Sequence, residues 1–328
     1  PPRSTLFPYT TLFRSNLEET TNNNNKQLKS SITNTQTFIF KDADEFFNIC
    51  DKVSKMSENE FREWEKENNF KSLYTITKEI IEKINNAQNK EEIEQIVEEN
   101  KDIIKIEDNI VKPIEPLTIY SRIINRKKIF YVDNYCHKIF GTQIAISQKD
   151  LNLVEKINLT EDKNVSIFEI ITNNKSNCAT RVSGYYNAPK RKCDYELYTN
   201  NTVCGCCGNI YYKSYLNTLI TNYKKNIFGN WALYNTVCQI EYAQIVVDGP
   251  KVTNFNGVSS QYIYQDYTIN IPFTTTDPNE VETFLKSYQI GDQVINNPIK
   301  QSVFKFANSK ATNRGIWPNT VNINYNCQ

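Results

Sequence analysis

The spacing of apolar residues changes once along this chain, and this change constrains the fold more than any other feature. Between residues 37 and 105 apolar residues recur at helical intervals, as Ile76, Ile80 and Ile84 do. The segment "VKPIEPL" (111–117) breaks the pattern, because each proline removes a backbone donor and restricts the preceding residue. Apolar residues then alternate with polar ones, which is the period of β-strands. We therefore predict an α+β fold, with a small N-terminal helical unit followed by a β-rich, antiparallel, sandwich-like domain.

Four helices are predicted in a helical region that spans residues 37–112. Three of their starts are marked by a polar residue that caps helices, with glutamate three positions later. These predicted caps are Asp42, Ser57 and Asn89. The other helix is predicted from about Leu73 to Asn86. Dense Glu and Lys on the outer faces are typical of a solvated helical surface.

The rest of the chain is divided into a β-meander (113–148) and a sandwich-like domain (165–328). The first predicted strand of the meander is "LTIYSRII" (117–124). The strongest strand signals of the sandwich-like domain are "NIYYKSYLNTLITNYKK" (209–225), "NWALYNTVCQIEYAQIVV" (230–247) and "SQYIYQDYTINIPF" (260–273). One segment, "DPNEVETFLKSYQ" (277–289), is predicted to be a short helix.

The opening residues differ in composition from the body of the chain. Residues 1–15, "PPRSTLFPYTTLFRS", contain no Asn, Lys, Ile or Glu, whereas the body is rich in all four. Their codons can be written, in one frame, as a standard short-read sequencing adapter. We interpret them as a translated artefact of a metagenomic fragment and not as native sequence. Residues 16–36 are polar and low in complexity, so we predict a disordered tether there.

Composition excludes several function classes. The 38 basic and 37 acidic residues are balanced, so nucleic acid is not an expected partner. Nine glycines and no Gly-rich phosphate loop argue against nucleotide binding. The single histidine, His137, follows Cys136 on a predicted strand, where neighbours point to opposite faces and form a poor dyad. His137 is therefore predicted to be a half-exposed strand residue.

Catalysis without histidine remains open in the form of paired carboxylates, as in glycosidic bond hydrolysis. Sequence alone does not select the pair among 37 acidic residues. The candidates are Asp133, Glu169, Asp194, Glu196 and Asp266. A cleft that holds two carboxyl groups about 5 to 10 Å apart and is lined by aromatic rings would favour this enzymatic alternative.

Five of the nine cysteines cluster within thirty residues. These disulfide or metal candidates are Cys178, Cys193, Cys204, Cys206 and Cys207. An exported protein would form disulfides, and Cys178–Cys193 and Cys193–Cys204 are two local possibilities. Cys204 and Cys207 form a C-x2-C pair that zinc sites use, but a second such pair is absent. Disulfides are favoured, unpaired thiols and zinc remain alternatives, and no cofactor is predicted.

Tyrosines supply candidate binding faces. A tyrosine offers a flat apolar ring and a polar tip, which suits stacking on a sugar or anchoring a protein partner. Packing within a sheet is the competing explanation. The candidates are Tyr211, Tyr212, Tyr215, Tyr262, Tyr264 and Tyr267.

Three segments resemble uncharacterised surface lipoproteins of gut Bacteroidetes. They are "FIFKDADEFFNICDKVSKMSENEFREWEKENNFKSL" (38–73), "INRKKIFYVDNYCHKI" (124–139) and "YKKNIFGNWALYNT" (223–236). The resemblance implies export, lipidation at a cysteine outside this sequence, and a helical part joined to a β-rich part. It assigns no activity, and the cysteine cluster departs from the pattern.

The sequence thus favours an exported, lipid-anchored protein of the periplasm or outer-membrane surface. Its predicted role is binding or structural, with a glycan or a surface protein as the expected partner. Membrane attachment is expected only through the lipid anchor. The alternatives are a carbohydrate-active enzyme that uses paired carboxylates and a cytosolic, zinc-stabilised structural protein.

Overall fold

The structure is a computed structural model that describes most of the chain after residue 36. The described residues are 37–107, 110–115, 117–148, 165–170, 177–225, 229, 231–233, 236, 238–255, 259–269, 274–275, 283–313 and 319–327. The predictions of an adapter-derived segment (1–15) and a tether (16–36) lie outside them. None of the helices in this part of the chain is long and apolar enough to cross a membrane.

The four predicted helices are confirmed. They are α1 (Ala43–Lys55), α2 (Glu58–Glu67), α3 (Leu73–Asn86) and α4 (Lys90–Glu99). Side chains at all four N-caps accept hydrogen bonds from backbone N–H groups, which satisfies donors that the first helical turn leaves open. The caps are Asp42, Ser57, Ser72 and Asn89.

Strands and one short helix make up the rest of the described chain. The elements of its first part are β1 (Ile39–Phe40), β2 (Ile104–Glu107), β3 (Ile110–Pro113), α5 (Ile119–Ile123), β4 (Ile129–Val132), β5 (Tyr135–Phe140), β6 (Gln143–Gln148) and β7 (Val165–Glu169). Those of its second part are β8 (Arg181–Ala188), β9 (Arg191–Cys206), β10 (Asn209–Lys225), β11 (Trp231–Leu233), β12 (Cys238–Phe255), β13 (Ser259–Ile269), β14 (Thr274–Thr275), β15 (Thr283–Ile295), β16 (Val303–Asn313) and β17 (Asn319–Asn326).

Two local predictions are wrong. The segment 117–124 was expected as a strand but forms α5, whose residues are all buried. Short apolar runs do not distinguish a strand from a buried helix, and here Arg122 Nη1 donates to the Val53 carbonyl at 2.7 Å and holds the turn against α1. The segment 277–289 was expected as a helix, yet its described part lies in β15. This strand pairs with β10 from Thr283 onwards, so the sheet ladder overrides local helix propensity.

The strands form three sheets. The first has the order β1-β4-β5-β6-β7, and the second has the order β2-β3-β11-β10-β9-β8 with β15 also paired to β10. The third has the order β13-β12-β16-β17 with β14 paired to β12. Most pairs are antiparallel, whereas β1–β4 and β3–β11 are parallel. The prediction of a β-rich, largely antiparallel body is confirmed.

The second sheet is the central layer, because two hydrophobic cores cover its opposite faces. One core joins α1, α2 and α3 and the first sheet to residues such as Cys204 and Tyr212 of the central sheet. The other core lies between the central and third sheets and contains Tyr195, Leu216 and Phe304. The central and third sheets therefore form a sandwich, and the helical unit packs on the other side of the central sheet.

Candidate functional site

A cleft lies where the helical unit meets the central sheet. Its volume is about 490 Å³, within the usual range for small-molecule sites. Residues of β9 and β10 line one side, and residues of α3, the β2–β3 hairpin and the segment after it line the others. The strand side consists of Asp194, Glu196, Tyr198, Leu219, Thr221 and Tyr223.

Alternation along β9 explains why its polar groups face the cleft. The sequence "CDYELY" (193–198) places Cys193, Tyr195 and Leu197 in the second core. Their neighbours Asp194, Glu196 and Tyr198 therefore point to the opposite face and line the cleft. The pairing with β10 fixes this register, with Thr221 opposite Asp194 and Leu219 opposite Glu196. A slip of one residue would bury both carboxylates in the apolar core.

The charges that line the cleft balance. Four cationic side chains face four carboxylates, so the formal net charge of the lining is zero. These side chains are Lys78, Lys105, Lys112 and Arg181 on one hand and Glu107, Glu115, Asp194 and Glu196 on the other. Such a lining favours a neutral polar ligand over a strongly charged one.

The two carboxylates of β9 have different environments. Burial raises the pKa of Asp194, and the negative charge of Glu196 raises it further, against the opposing effects of Lys192, Lys112 and Arg181. Glu196 instead forms an ion pair with Arg181 of β8. Asp194 therefore holds its proton to higher pH than an ordinary aspartate does, while Glu196 has a cationic partner.

Glu115 adds a buried acceptor to the cleft. Lys128 Nζ donates to its Oε1 at 2.6 Å, and the residue is 6% exposed. Its Oε2 is buried and has no hydrogen-bond partner within the described part of the protein. A buried acceptor without a partner costs free energy unless a donor, such as a ligand hydroxyl, reaches it. Glu115 was not among the predicted site residues, since no local pattern distinguishes it from other acidic residues.

Aromatic rings flank the carboxylates. Tyr198 and Tyr223 are nearly buried in the sheet, and Tyr74 of α3 lines the cleft from the helical side. The Tyr198 hydroxyl donates to the Leu117 carbonyl, which fixes its ring against the segment after β3. Each of the three residues is at most 7% exposed, so only a small part of each tyrosine borders the cleft. Sequence analysis did not select these three tyrosines.

The structure brings only two of the five candidate carboxylates together in the cleft, Asp194 and Glu196. Glu169 lies on β7, exposed, and accepts from Gln143 of β6. Asp266 is exposed on β13. Asp133 occupies the turn between β4 and β5 beside Cys207. None of these three carboxylates lines the cleft, although Glu169 accepts a hydrogen bond from Thr142, which does.

The first group of candidate tyrosines packs within the protein. Tyr215 is buried, and its hydroxyl donates to Asp51 Oδ1 at 2.7 Å, next to an ion pair between Lys213 and Asp51. Tyr212 is also buried in the first core, and the half-buried Tyr211 packs against it. These positions agree with the alternative explanation, in which the tyrosines pack within the sheet.

The second group lies along β13 and is half-buried. All three hydroxyls donate to backbone carbonyls, so their polar tips are already engaged. Tyr262 donates to Pro298 at 3.0 Å, Tyr264 to Lys300 at 2.8 Å and Tyr267 to Pro250 at 3.2 Å. These contacts fasten β13 to the chain before β16 and to β12.

The candidate cysteines separate into three settings. Cys178 forms a disulfide with Cys327, a pairing that the sequence did not suggest. The local bridges Cys178–Cys193 and Cys193–Cys204 are not formed. Cys193 is a buried thiol in the second core, and Cys204 is a buried thiol in the first core. The two cysteines that remain, Cys206 and Cys207, lie together at the tip of the β9–β10 hairpin.

His137 is fully buried, which corrects the expectation of a half-exposed residue. Its ring stacks on Phe130 with centroids 4.4 Å apart, and its Nε2 accepts from the Gly205 N–H at 2.9 Å. Burial lowers the pKa of His137 to about 3, although backbone groups of Tyr135 and Phe130 partly oppose this shift. Its neighbour Cys136 packs in a separate small cluster, as expected for opposite strand faces.

A proton NMR titration checks this assignment directly, because His137 is the only histidine in the chain. We expect its ring signals to stay constant as pH falls through its ordinary pKa of 6.5. The unfolded chain takes up this proton near 6.5, whereas the folded chain does not until about 3, so the free energy of unfolding decreases as pH falls across that window. A titration midpoint near 6.5 in the folded protein would contradict the buried placement.

Comparisons with known proteins give a similarity but no activity. No protein-family model matches the chain, and no curated protein matches it. A solved structure that is similar is the crystal structure of a DUF4848 family protein from Bacteroides thetaiotaomicron, with 17% identity, 87% of this chain and 94% of that chain covered, and a TM-score of 0.29. It establishes neither a shared fold nor a catalytic function.

Proposed function

We propose that this chain is an exported protein that binds a neutral oligosaccharide in the cleft between the helical unit and the central sheet. The observation that carries the proposal is the combination of Asp194, Glu196 and flanking tyrosines in a cleft of balanced charge. Sugar hydroxyl groups donate hydrogen bonds to carboxylates and accept hydrogen bonds from cationic side chains. The exposed part of Tyr223 would contact an apolar face of the sugar.

Export is supported by the Cys178–Cys327 disulfide. Disulfides persist in oxidising compartments such as the periplasm and the cell surface, and they are rare in the cytosol. The resemblance to surface lipoproteins adds a lipid anchor to the proposal. Fractionation of a Bacteroides strain that expresses the gene tests this part. We expect detergent to release the protein from the membrane fraction, and recovery in the cytosolic fraction would contradict the proposal.

Glycan-array screening followed by isothermal titration calorimetry tests the binding proposal. We expect Asp194→Asn and Tyr223→Leu each to weaken binding of the best oligosaccharide by about tenfold to a hundredfold, because each removes a contact worth about 1.5 to 3 kcal/mol. Asp266→Asn is the matched control, since it neutralises an exposed carboxylate outside the cleft. Unchanged affinity in the cleft variants, or no binding to any glycan, would refute the proposal.

A second candidate, glycoside hydrolysis, is favoured by the unequal environments of Asp194 and Glu196. Burial raises the pKa of Asp194, which suits a general acid, and Arg181 pairs with Glu196, which suits a carboxylate that stays ionised. Two residues along a strand are about 6.6 Å apart at Cα, so the carboxyl groups are neighbours. Release of reducing sugar by the wild-type protein and its loss in Asp194→Asn would assign hydrolysis. A glycan that stays intact after long incubation would show that the protein binds it without hydrolysing it.

A further inference from the structure

Two turns that are distant in sequence bring three metal-ligating side chains together outside the cleft. Asp133 lies between β4 and β5, and Cys206 and Cys207 lie at the tip of the β9–β10 hairpin. Ligand atoms of the three residues all lie within 4.8 Å of one another. We propose that Asp133, Cys206 and Cys207 form a binding site for a thiophilic divalent metal ion, of which Zn²⁺ is the natural candidate.

The backbone conformation of both turns presents these ligands. Cys207 and Gly208 have φ of 53° and 80°, so they occupy the two central positions of a type I′ turn. Asp133 has φ of 52° and reaches the same space from the opposite turn. The Gly208 N–H donates to the Tyr135 hydroxyl at 3.1 Å, which ties the hairpin tip to β5. The left-handed conformation is sterically unfavourable for a cysteine.

One of the two ligand distances already suits a metal with thiolate ligands, and the other requires Cys207 to move. Cys207 Sγ lies 3.9 Å from Asp133 Oδ2 and 2.8 Å from Cys206 Sγ. In tetrahedral zinc sites with bonds of about 2.3 Å, two thiolates stand about 3.8 Å apart. The Asp133–Cys207 separation already fits, and the exposed Cys207 side chain has room to move away from the buried Cys206. Three protein ligands leave the fourth position for water or another ligand.

One neighbouring element partly offsets the negative charge of such a site. Two thiolates, one carboxylate and a divalent cation carry a net charge of about −1. Cys206 lies beside the backbone of Ala43, the first residue of α1. The N-terminal end of this 13-residue helix carries a partial positive charge, which favours the thiolate complex. The contact also orients the Cys206 ligand, as outer-sphere groups do in metal sites.

A cadmium titration of the intact chain, purified without oxygen and with its disulfide retained, tests the proposal. Thiolate-to-cadmium charge transfer gives an ultraviolet absorbance band that reports the ligands directly. We expect one Cd²⁺ to bind per chain and Zn²⁺ to displace it. Cys207→Asn should abolish the band, and Asp133→Asn should weaken affinity by about tenfold or more because an amide oxygen is a poorer ligand.

Both substitutions preserve the turns. Asn-Gly is the favoured dipeptide of a type I′ turn, so Cys207→Asn leaves the hairpin intact, and asparagine tolerates the left-handed conformation of Asp133. Cys193→Ala, which removes a thiol in the second core, should keep the band. The proposal is overturned if Cys207→Asn retains the wild-type band, if Cd²⁺ does not bind, or if mass spectrometry finds Cys206 and Cys207 joined as a disulfide in the native protein.

Discussion

Glu58→Ala is expected to lower the free energy of unfolding by about 3 to 5 kcal/mol, because it leaves buried cations without their counter-charge. Glu58 is 7% exposed, and its Oε1 accepts from Lys78 Nζ at 2.9 Å. Its Oε2 accepts from the Tyr74 hydroxyl at 3.2 Å. Lys78 is also buried, so the loss of the carboxylate leaves its ammonium group without a counter-charge. Chemical denaturation followed by circular dichroism measures the change.

Glu63→Ala is the matched control on the same helix. Its ion pair with Lys66 is exposed, with side chains 65% and 71% accessible, so its loss should cost less than about 1 kcal/mol. Equal effects of Glu58→Ala and Glu63→Ala would show that Glu58 is solvated and would contradict its burial.

The contribution of Glu58 should also depend on pH. Burial alone would raise its pKa, but Lys78, Arg122 and Arg62 together hold the pKa below its ordinary value of 4.5. A carboxylate with a lowered folded pKa contributes stability that is complete above its unfolded pKa and is lost as pH falls through its folded pKa. The difference in the free energy of unfolding between wild type and Glu58→Ala should therefore be constant near neutral pH and shrink below pH 4.5.

Replacing both Cys178 and Cys327 by alanine is expected to lower the free energy of unfolding by about 3 to 5 kcal/mol. The bridge spans 149 residues, and closing so long a loop removes much conformational entropy from the unfolded chain. It joins the residues before β8 to those after β17, and so it fastens the central sheet to the third sheet. The Ala179 N–H donates to the Tyr325 hydroxyl at 2.7 Å beside it.

Reduction supplies the control for the disulfide. A thiol reductant should destabilise the wild-type protein by a similar amount and leave the double variant unchanged. Mass spectrometry after alkylation should find Cys178 and Cys327 protected in the native protein and modified after reduction. Alkylation of both residues without reduction would contradict the pairing and remove the support that it gives to export.

The sequence predicted those helices and strands whose signals lie within a few neighbouring residues. The caps Asp42 and Ser57 place the starts of α1 and α2, because the signal lies within four residues. The strand expected at 209–225 matches β10, since its alternation is long and regular. By contrast, α5 is decided by contacts such as that between Tyr120 and Val203, which are 83 residues apart, and no window of sequence contains them.

The candidate site was only partly predictable for the same reason. Asp194 and Glu196 were on the list of carboxylates, and the alternation of "CDYELY" could have placed them on one polar face. Nothing local indicates that α3 and the β2–β3 hairpin cover that face, or that Glu115 and Arg181 join it. The approach of Asp133 to Cys207 and the Cys178–Cys327 bridge likewise depend on tertiary packing.

A crystal structure of the protein with its highest-affinity oligosaccharide tests the central claim most directly. We predict a sugar in the cleft, with hydroxyl groups bonded to Asp194 and Glu196 and one ring face against Tyr223. A sugar seated elsewhere, for example on the Tyr262 and Tyr264 face of β13, with the cleft still filled by solvent, would contradict it.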